Sequence, residues 1–176
     1  MMLTTQTLAT PVGPMQAVFS PQGLCMLEFA HSKLCAPQLA AVLRAKGTSE
    51  LLEQESAASR ALTLELAQYF AGERQAFTQP LDIIGSDFQR SVWQSLLQIP
   101  YGATWSYAEQ ARHMGRESAV RAVANANGQN KIAIVIPCHR VIGSNGTLTG
   151  FGGGLDAKRL LLNLERQTTG EQLLFS

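Results

Sequence analysis

The chain has 176 residues, 45% of them hydrophobic, enough to bury a core without disulfides or metals. Its longest unbroken apolar runs, such as Ile132 to Ile136, fall far short of the roughly 18 residues that a membrane span needs. No charged stretch precedes an apolar one at the N-terminus, so a soluble, unexported, cytoplasmic protein is expected. The net charge of +1 argues against a uniformly basic polyanion binder, but the charge is unevenly placed. Residues 1–85 carry five Lys or Arg against seven Asp or Glu, whereas residues 86–165 carry eight against five. The three cysteines, Cys25, Cys35 and Cys138, are odd in number and lack Cys-x-x-Cys spacing, which fits a reducing compartment better than a disulfide scaffold or a metal knuckle.

The first elements read as strands. Thr4 to Ala9 and Met15 to Phe19 are separated by Pro11-Val12-Gly13-Pro14, and Leu24 to Phe29 follows the turn Ser20-Pro21-Gln22-Gly23, a pattern that predicts an antiparallel meander. Gln38 to Lys46 and Ser56 to Ala71 carry apolar residues at helical spacing, notably Leu62, Leu66, Tyr69 and Phe70, and the second run stops at Gly72. A polar connector from Gly72 to Pro80 ends this half.

The second half opens with Ser86 and, three residues on, Gln89, the pattern in which two side chains cap each other's backbone N–H groups, so a helix is predicted over about 87–97. Ile99-Pro100-Tyr101-Gly102 breaks it. A second helix is predicted from Thr104 or Trp105 to His113, and Gly115 separates it from a third over about 117–126. Two short helices joined by a tight Gly turn suggest a helix-turn-helix, its second helix made of small residues with Arg121 projecting. Ala-rich helices joined by Gly are also common packing units, so this segment alone is compatible with either role.

Ile132 to Ile136 runs directly into Pro137-Cys138-His139-Arg140-Val141-Ile142-Gly143, which delivers a thiol from an apolar base. The thiolate is the nucleophile, and a nearby imidazole can generate it, so Cys138 beside His139 is a candidate reactive centre. Neighbouring side chains diverge in strands and helices alike, so a water could bridge the pair. Glu165, on a helix predicted from Leu155 to Arg166, is the candidate acceptor for the other imidazole nitrogen. A buried Cys, a core His and a solvated Glu would have the same spacing.

The sequence Pro-Cys-His-Arg-Val-Ile-Gly resembles the signature of the O6-alkylguanine-DNA alkyltransferases, also called methylated-DNA-protein-cysteine methyltransferases. Phe88-Gln89-Arg90-Ser91-Val92-Trp93, Ile99-Pro100-Tyr101-Gly102, Ser106-Tyr107, Val120-Arg121-Ala122-Val123, Asn130 and Gly153-Gly154-Leu155 resemble family blocks in the family's order, across about residues 86–165. The N-terminal half is similar only in its Thr10-Pro11-Val12-Gly13 turn and in helix placement.

This resemblance implies an α/β two-domain protein: a ribonuclease H-like domain over 1–84, a mainly helical, winged-helix-like domain with the helix-turn-helix over 85–168, and a tail over 169–176. It implies single-turnover repair of O6-alkylguanine in double-stranded DNA, with O4-alkylthymine left open. The damaged base is flipped out of the duplex and its alkyl group moves irreversibly to Cys138. His139 would take the thiol proton through a water and Glu165 would hold the imidazole. Asn130 would be a hinge, and Tyr107 would crowd the 3′ phosphate and donate a hydrogen bond to the base. Arg121 would fill the hole left by the base, with Ala122, Asn125 and Ala126 facing the minor groove, where small residues fit. Pro137, Val141, Phe151 and Gly152 would line the substrate pocket, the carbonyls of Cys138 and Val141 reading the guanine amine. The family often has Tyr followed by Ser or Ala where Phe151-Gly152 stands, which implies an altered preference for bulky adducts. Some members hold an N-terminal zinc, but the matching positions, Met1, Ser20, Cys25 and Thr78, do not supply its ligands. No metal, no cofactor and a monomer are expected. Three other readings stay open: a lesion-binding protein without transfer, a cysteine hydrolase with turnover, and a structural or regulatory DNA-binding domain.

Overall fold

The computed structural model describes residues 2–171, in two compact units, Met1–Ile84 and Gly85–Ser176. Met1 and residues 172–176, most of the expected tail, lie outside the described residues.

In the first unit, β1 (Leu3–Leu8), β2 (Met15–Ser20) and β3 (Gly23–Phe29) form the predicted antiparallel meander, with Leu8 opposite Met15 and Met15 opposite Phe29. A short strand that the sequence reading left unassigned, β4 (Leu51–Glu53), pairs parallel to β1, giving the order β3-β2-β1-β4. Helix α1 (Cys35–Lys46) starts three residues earlier than its apolar spacing indicated and ends on Gly47 in the left-handed conformation. Leu3, Val18, Cys25, Met26, Cys35 and Val42 form one buried cluster of this unit. Helix α2 (Ala57–Phe70) turns Leu62, Leu66 and Tyr69 inward. The free edge of β3 does not stay open, because the end of the connector runs beside it: Leu24 N–H donates to the Pro80 carbonyl at 2.9 Å and Asp82 N–H to the Leu24 carbonyl at 2.9 Å. Gly23 makes this approach possible, since a Cβ there would lie 2.4 Å from the Pro80 oxygen.

The second unit positions the chemistry. Helix α3 (Asp87–Leu96) begins with the reciprocal cap: Gln89 N–H donates to Ser86 Oγ at 3.1 Å and Ser86 N–H to Gln89 Oε1 at 3.0 Å. Its Trp93 is buried, and the indole N–H donates to the Ala126 carbonyl at 2.8 Å. The helix predicted from Thr104 or Trp105 begins later, because Trp105–Ser106 is a two-residue strand, β5, and Ser106 is the N-cap of α4 (Tyr107–His113). The third helix begins as a 3-10 turn at Glu117–Ala119 and continues as α5 (Val120–Gly128). β6 (Val141–Ile142) pairs parallel to β5, and α6 (Leu155–Thr168) closes the unit. No described helix is long and apolar enough to cross a membrane.

Candidate active site and nucleic-acid interface

The apolar segment before Cys138 is a series of tight turns. Val135 N–H donates to the Ala133 carbonyl at 2.8 Å and Cys138 N–H to the Ile136 carbonyl at 2.8 Å. Ile134 sits between the first pair at φ 69°, a left-handed conformation that costs a β-branched residue about 1–3 kcal/mol. Surrounding contacts hold it there. Ile132 to Ile136 are buried, and the Asn130 side chain donates to the Ile136 carbonyl at 2.8 Å and to the Ile132 carbonyl at 3.4 Å while accepting from Ile132 N–H at 3.1 Å. Cys138 therefore leaves a braced turn as the first residue of a 3-10 turn, Cys138–Arg140, and is half-buried.

His139 and Glu165 are fully buried and lie 2.7 Å apart, Nε2 to Oε2. An ionised carboxylate only accepts, so Nε2 carries the hydrogen. Nδ1 has no hydrogen-bond partner among the described residues, which leaves a buried acceptor on the residue next to the thiol. Burial pushes the His139 imidazole below its ordinary value; Glu165 opposes this, while Arg140 and Lys158 add to it. Burial alone would raise the Glu165 carboxyl, but His139 and Arg140 outweigh it and hold the group far below the usual range.

Two cations near the thiol had no role assigned from the sequence. Arg140 grips Glu165 through Nε at 2.8 Å and Nη2 at 3.1 Å, and its Nη1 donates to the Ile99 carbonyl at 2.9 Å. Lys158 is fully buried, with Nζ donating to the carbonyls of Val141 at 2.7 Å and Thr149 at 2.6 Å. Burial pushes Lys158 down to about 8, against the pull of Cys138. A legible signal existed: Lys158, Leu161, Leu162 and Glu165 share one face of α6 at helical spacing, so two charges stand on an apolar stripe.

On α5, Arg121, Ala122 and Asn125 are exposed, as expected of a face that meets DNA. Ala126 is not. It is 2% exposed and lies with Val123 and Asn127, three and four residues apart, on the buried stripe of α5, where its carbonyl accepts from the Trp93 indole. A buried amide pair also went unread: Gln110 Nε2 donates to Asn127 Oδ1 at 3.0 Å and Asn127 Nδ2 to Gln110 Oε1 at 2.6 Å, joining α4 to α5. Tyr107, at the first turn of α4, has its hydroxyl 2.9 Å from Thr149 Oγ1, which ties α4 to the 143–154 loop. On that loop Phe151 is half-buried and Gly152 exposed, while Pro137 and Val141 are buried. In the first unit, Ser20 is bonded to Asp82, Cys25 to the Val18 carbonyl and Thr78 to Glu65, an arrangement that does not fit a zinc site.

Known proteins match both units. The family model for the ribonuclease-like domain of 6-O-methylguanine DNA methyltransferase matches residues 3–83, and that for its DNA-binding domain matches residues 87–167. A methylated-DNA-protein-cysteine methyltransferase of Mycolicibacterium paratuberculosis is 59% identical over 103 residues, which is 58% of this chain and 62% of that protein. The namesake protein of Methanosarcina acetivorans is 41% identical over 156 residues, covering 89% of this chain and 94% of the relative. The crystal structure of Mycobacterium tuberculosis OGT in complex with DNA matches with a TM-score of 0.81 at 39% identity, covering 96% of this chain and 94% of that one. With both domain models matched in order, the chain belongs to the 6-O-methylguanine DNA methyltransferase family.

Proposed function

We propose that the protein repairs DNA by direct reversal, moving the alkyl group of O6-alkylguanine in duplex DNA onto Cys138, once per molecule. The observation that carries this reading is the half-buried thiol beside a buried imidazole whose Nδ1 is unpartnered and whose Nε2 is held by Glu165. The C-terminal unit would act as a winged-helix-like module, with α5 in the minor groove. Arg121 would replace the flipped base, Ala122 and Asn125 would lie against the groove, and Tyr107 would face the 3′ phosphate and the base.

In the transfer, a water relays the Cys138 proton to His139 Nδ1 while sulfur attacks the alkyl carbon. The carbon–oxygen bond breaks, its electrons pass to the guanine, and the Tyr107 hydroxyl hydrogen-bonds the base as charge develops on it. Asn130 keeps the cysteine turn in place, and Pro137, Val141, Phe151 and Gly152 bound the pocket. A thioether results, and among the described residues no group is suited to break its carbon–sulfur bond, so the protein is consumed. It would work as a cytoplasmic monomer.

The test is intact and peptide mass spectrometry after mixing the protein with duplex DNA containing O6-methylguanine. One methyl on Cys138 per molecule is expected; repaired DNA beside unmodified Cys138, or several repairs per protein, refutes the reading.

A further inference from the structure

The Glu165 carboxylate has more claimants than a histidine-orienting acid needs. Oε1 accepts from Arg140 Nε at 2.8 Å and Gly102 N–H at 3.3 Å; Oε2 accepts from His139 Nε2 at 2.7 Å and Arg140 Nη2 at 3.1 Å. A carboxylate offers about four acceptor positions, so its capacity is filled. Its single negative charge is matched by the forked, permanently charged guanidinium. The charged and titratable groups around the His139 ring are Glu165 and Lys158 on α6, Arg140 and Cys138 on its own turn, and Tyr101, whose ring lies 5.5 Å from the Arg140 guanidinium. With Glu165 neutralised by Arg140, an imidazolium would add an unmatched positive charge, beside buried Lys158, at a position shut off from bulk solvent.

We propose that Arg140 is a positioning residue that commits the Glu165 charge, so that His139 stands as a neutral imidazole, protonated at Nε2 and open at Nδ1, ready to accept the Cys138 proton. An unclaimed Glu165 would instead draw a second proton onto the ring, and Nδ1 would become a donor. The imidazolium would then form only during transfer, when the sulfur gives up its proton. The consequence for rate rests on the alkyl-transfer reading; the state of the ring does not.

The test follows the ring nitrogens of 15N-histidine-labelled full-length protein by NMR from about pH 5.5 to 8.5. The three histidines, His31, His113 and His139, are separated with His31→Gln and His113→Gln. In the wild type, His139 is expected to keep the neutral, Nε2-protonated pattern throughout. Arg140→Gln should bring its titration into this range, raised by about one unit or more, and Arg140→Lys, which keeps the charge, should restore the neutral pattern. Methyl-transfer rates should follow, with Arg140→Gln losing roughly tenfold more than wild type between pH 8 and 6, and Arg140→Lys not. A wild-type imidazolium at pH 7 overturns the proposal, and needs no variant to fold. So does an Arg140→Gln protein that is slower by one factor at every pH with an unmoved ring, the mark of a purely structural role. A neutral ring that answers to Arg140 in a protein that transfers no methyl leaves this assignment standing and removes the functional reading instead.

Discussion

The reciprocal amide pair between α4 and α5 gives a sharp energetic prediction. Gln110 is fully buried and Asn127 is 6% exposed; besides bonding each other, they engage Ser95 Oγ, 3.0 Å from Gln110 Nε2. Replacing one partner by an apolar residue of similar size, Gln110→Met or Asn127→Leu, strands a buried amide, and each single change should cost about 2 kcal/mol. Replacing both removes the stranded groups together, so the double variant should lose only about 1 kcal/mol, a coupling of about 3 kcal/mol. Urea unfolding followed by tryptophan fluorescence measures this, because Trp93 and Trp105 both belong to the Gly85–Ser176 unit and report on it alone. The coupling should also reach function, since the pair sets α5, and Arg121 with it, against α4. Each single variant should lose activity on duplex DNA beyond any loss on the free base. Costs that add to within about 0.5 kcal/mol would refute the argument, showing that the amides do not depend on each other.

Arg121→Ala should slow repair in duplex DNA by on the order of tenfold or more, and leave reaction with free O6-benzylguanine within about twofold, because only the duplex requires a base to be held out; equal losses on both substrates count against that role. Glu28, buried in β3, supplies a pH dependence. Burial first, against the Phe29 N–H and Gln38 hydrogen bonds, raises its carboxyl from 4.5 to about 6. Its folded value is the higher, so its contribution to stability is full below about pH 4.5 and is lost as pH rises through 6, a change of roughly 2 kcal/mol. Glu28→Gln should flatten that part of the profile for the Met1–Ile84 unit, measured by hydrogen exchange in β2 and β3; an unchanged profile contradicts it.

Local rules made much of the fold legible. The meander followed from the Gly- and Pro-containing turns that bound its strands, and α3 from Ser86 and Gln89. Ser106 and Glu109 carry the same capping pattern, yet the apolar Trp105 drew the predicted helix start too early, because the pairing of Trp105 with Val141 spans 36 residues and leaves no local mark. β4 was missed for a similar reason: it is three residues long, and its partner is β1. At the site, Cys138, His139 and Glu165 could be named because residue type and motif announce chemistry. Arg140 carried no such mark, and the apolar stripe of α6 marked Lys158 as a buried charge without its role, since both roles come from which carbonyls and carboxylate they meet. Ala126 went the other way: small size alone does not tell which side of a helix a residue occupies.

The tie between Tyr107 and Thr149 has a consequence for how a base could be received. A phenol hydroxyl can accept one hydrogen bond while donating another. With Thr149 supplying its proton to the Tyr107 oxygen, the phenol proton is free to turn to a flipped base, and the two bonds strengthen each other in series. Lys158 anchors the same residue through its carbonyl, so Thr149 cannot easily swing away. If Tyr107 receives the base as proposed, loop and base would not compete for its hydroxyl: the phenol oxygen would accept from Thr149 while its proton turns to the base, and the contact between α4 and the 143–154 loop would be kept.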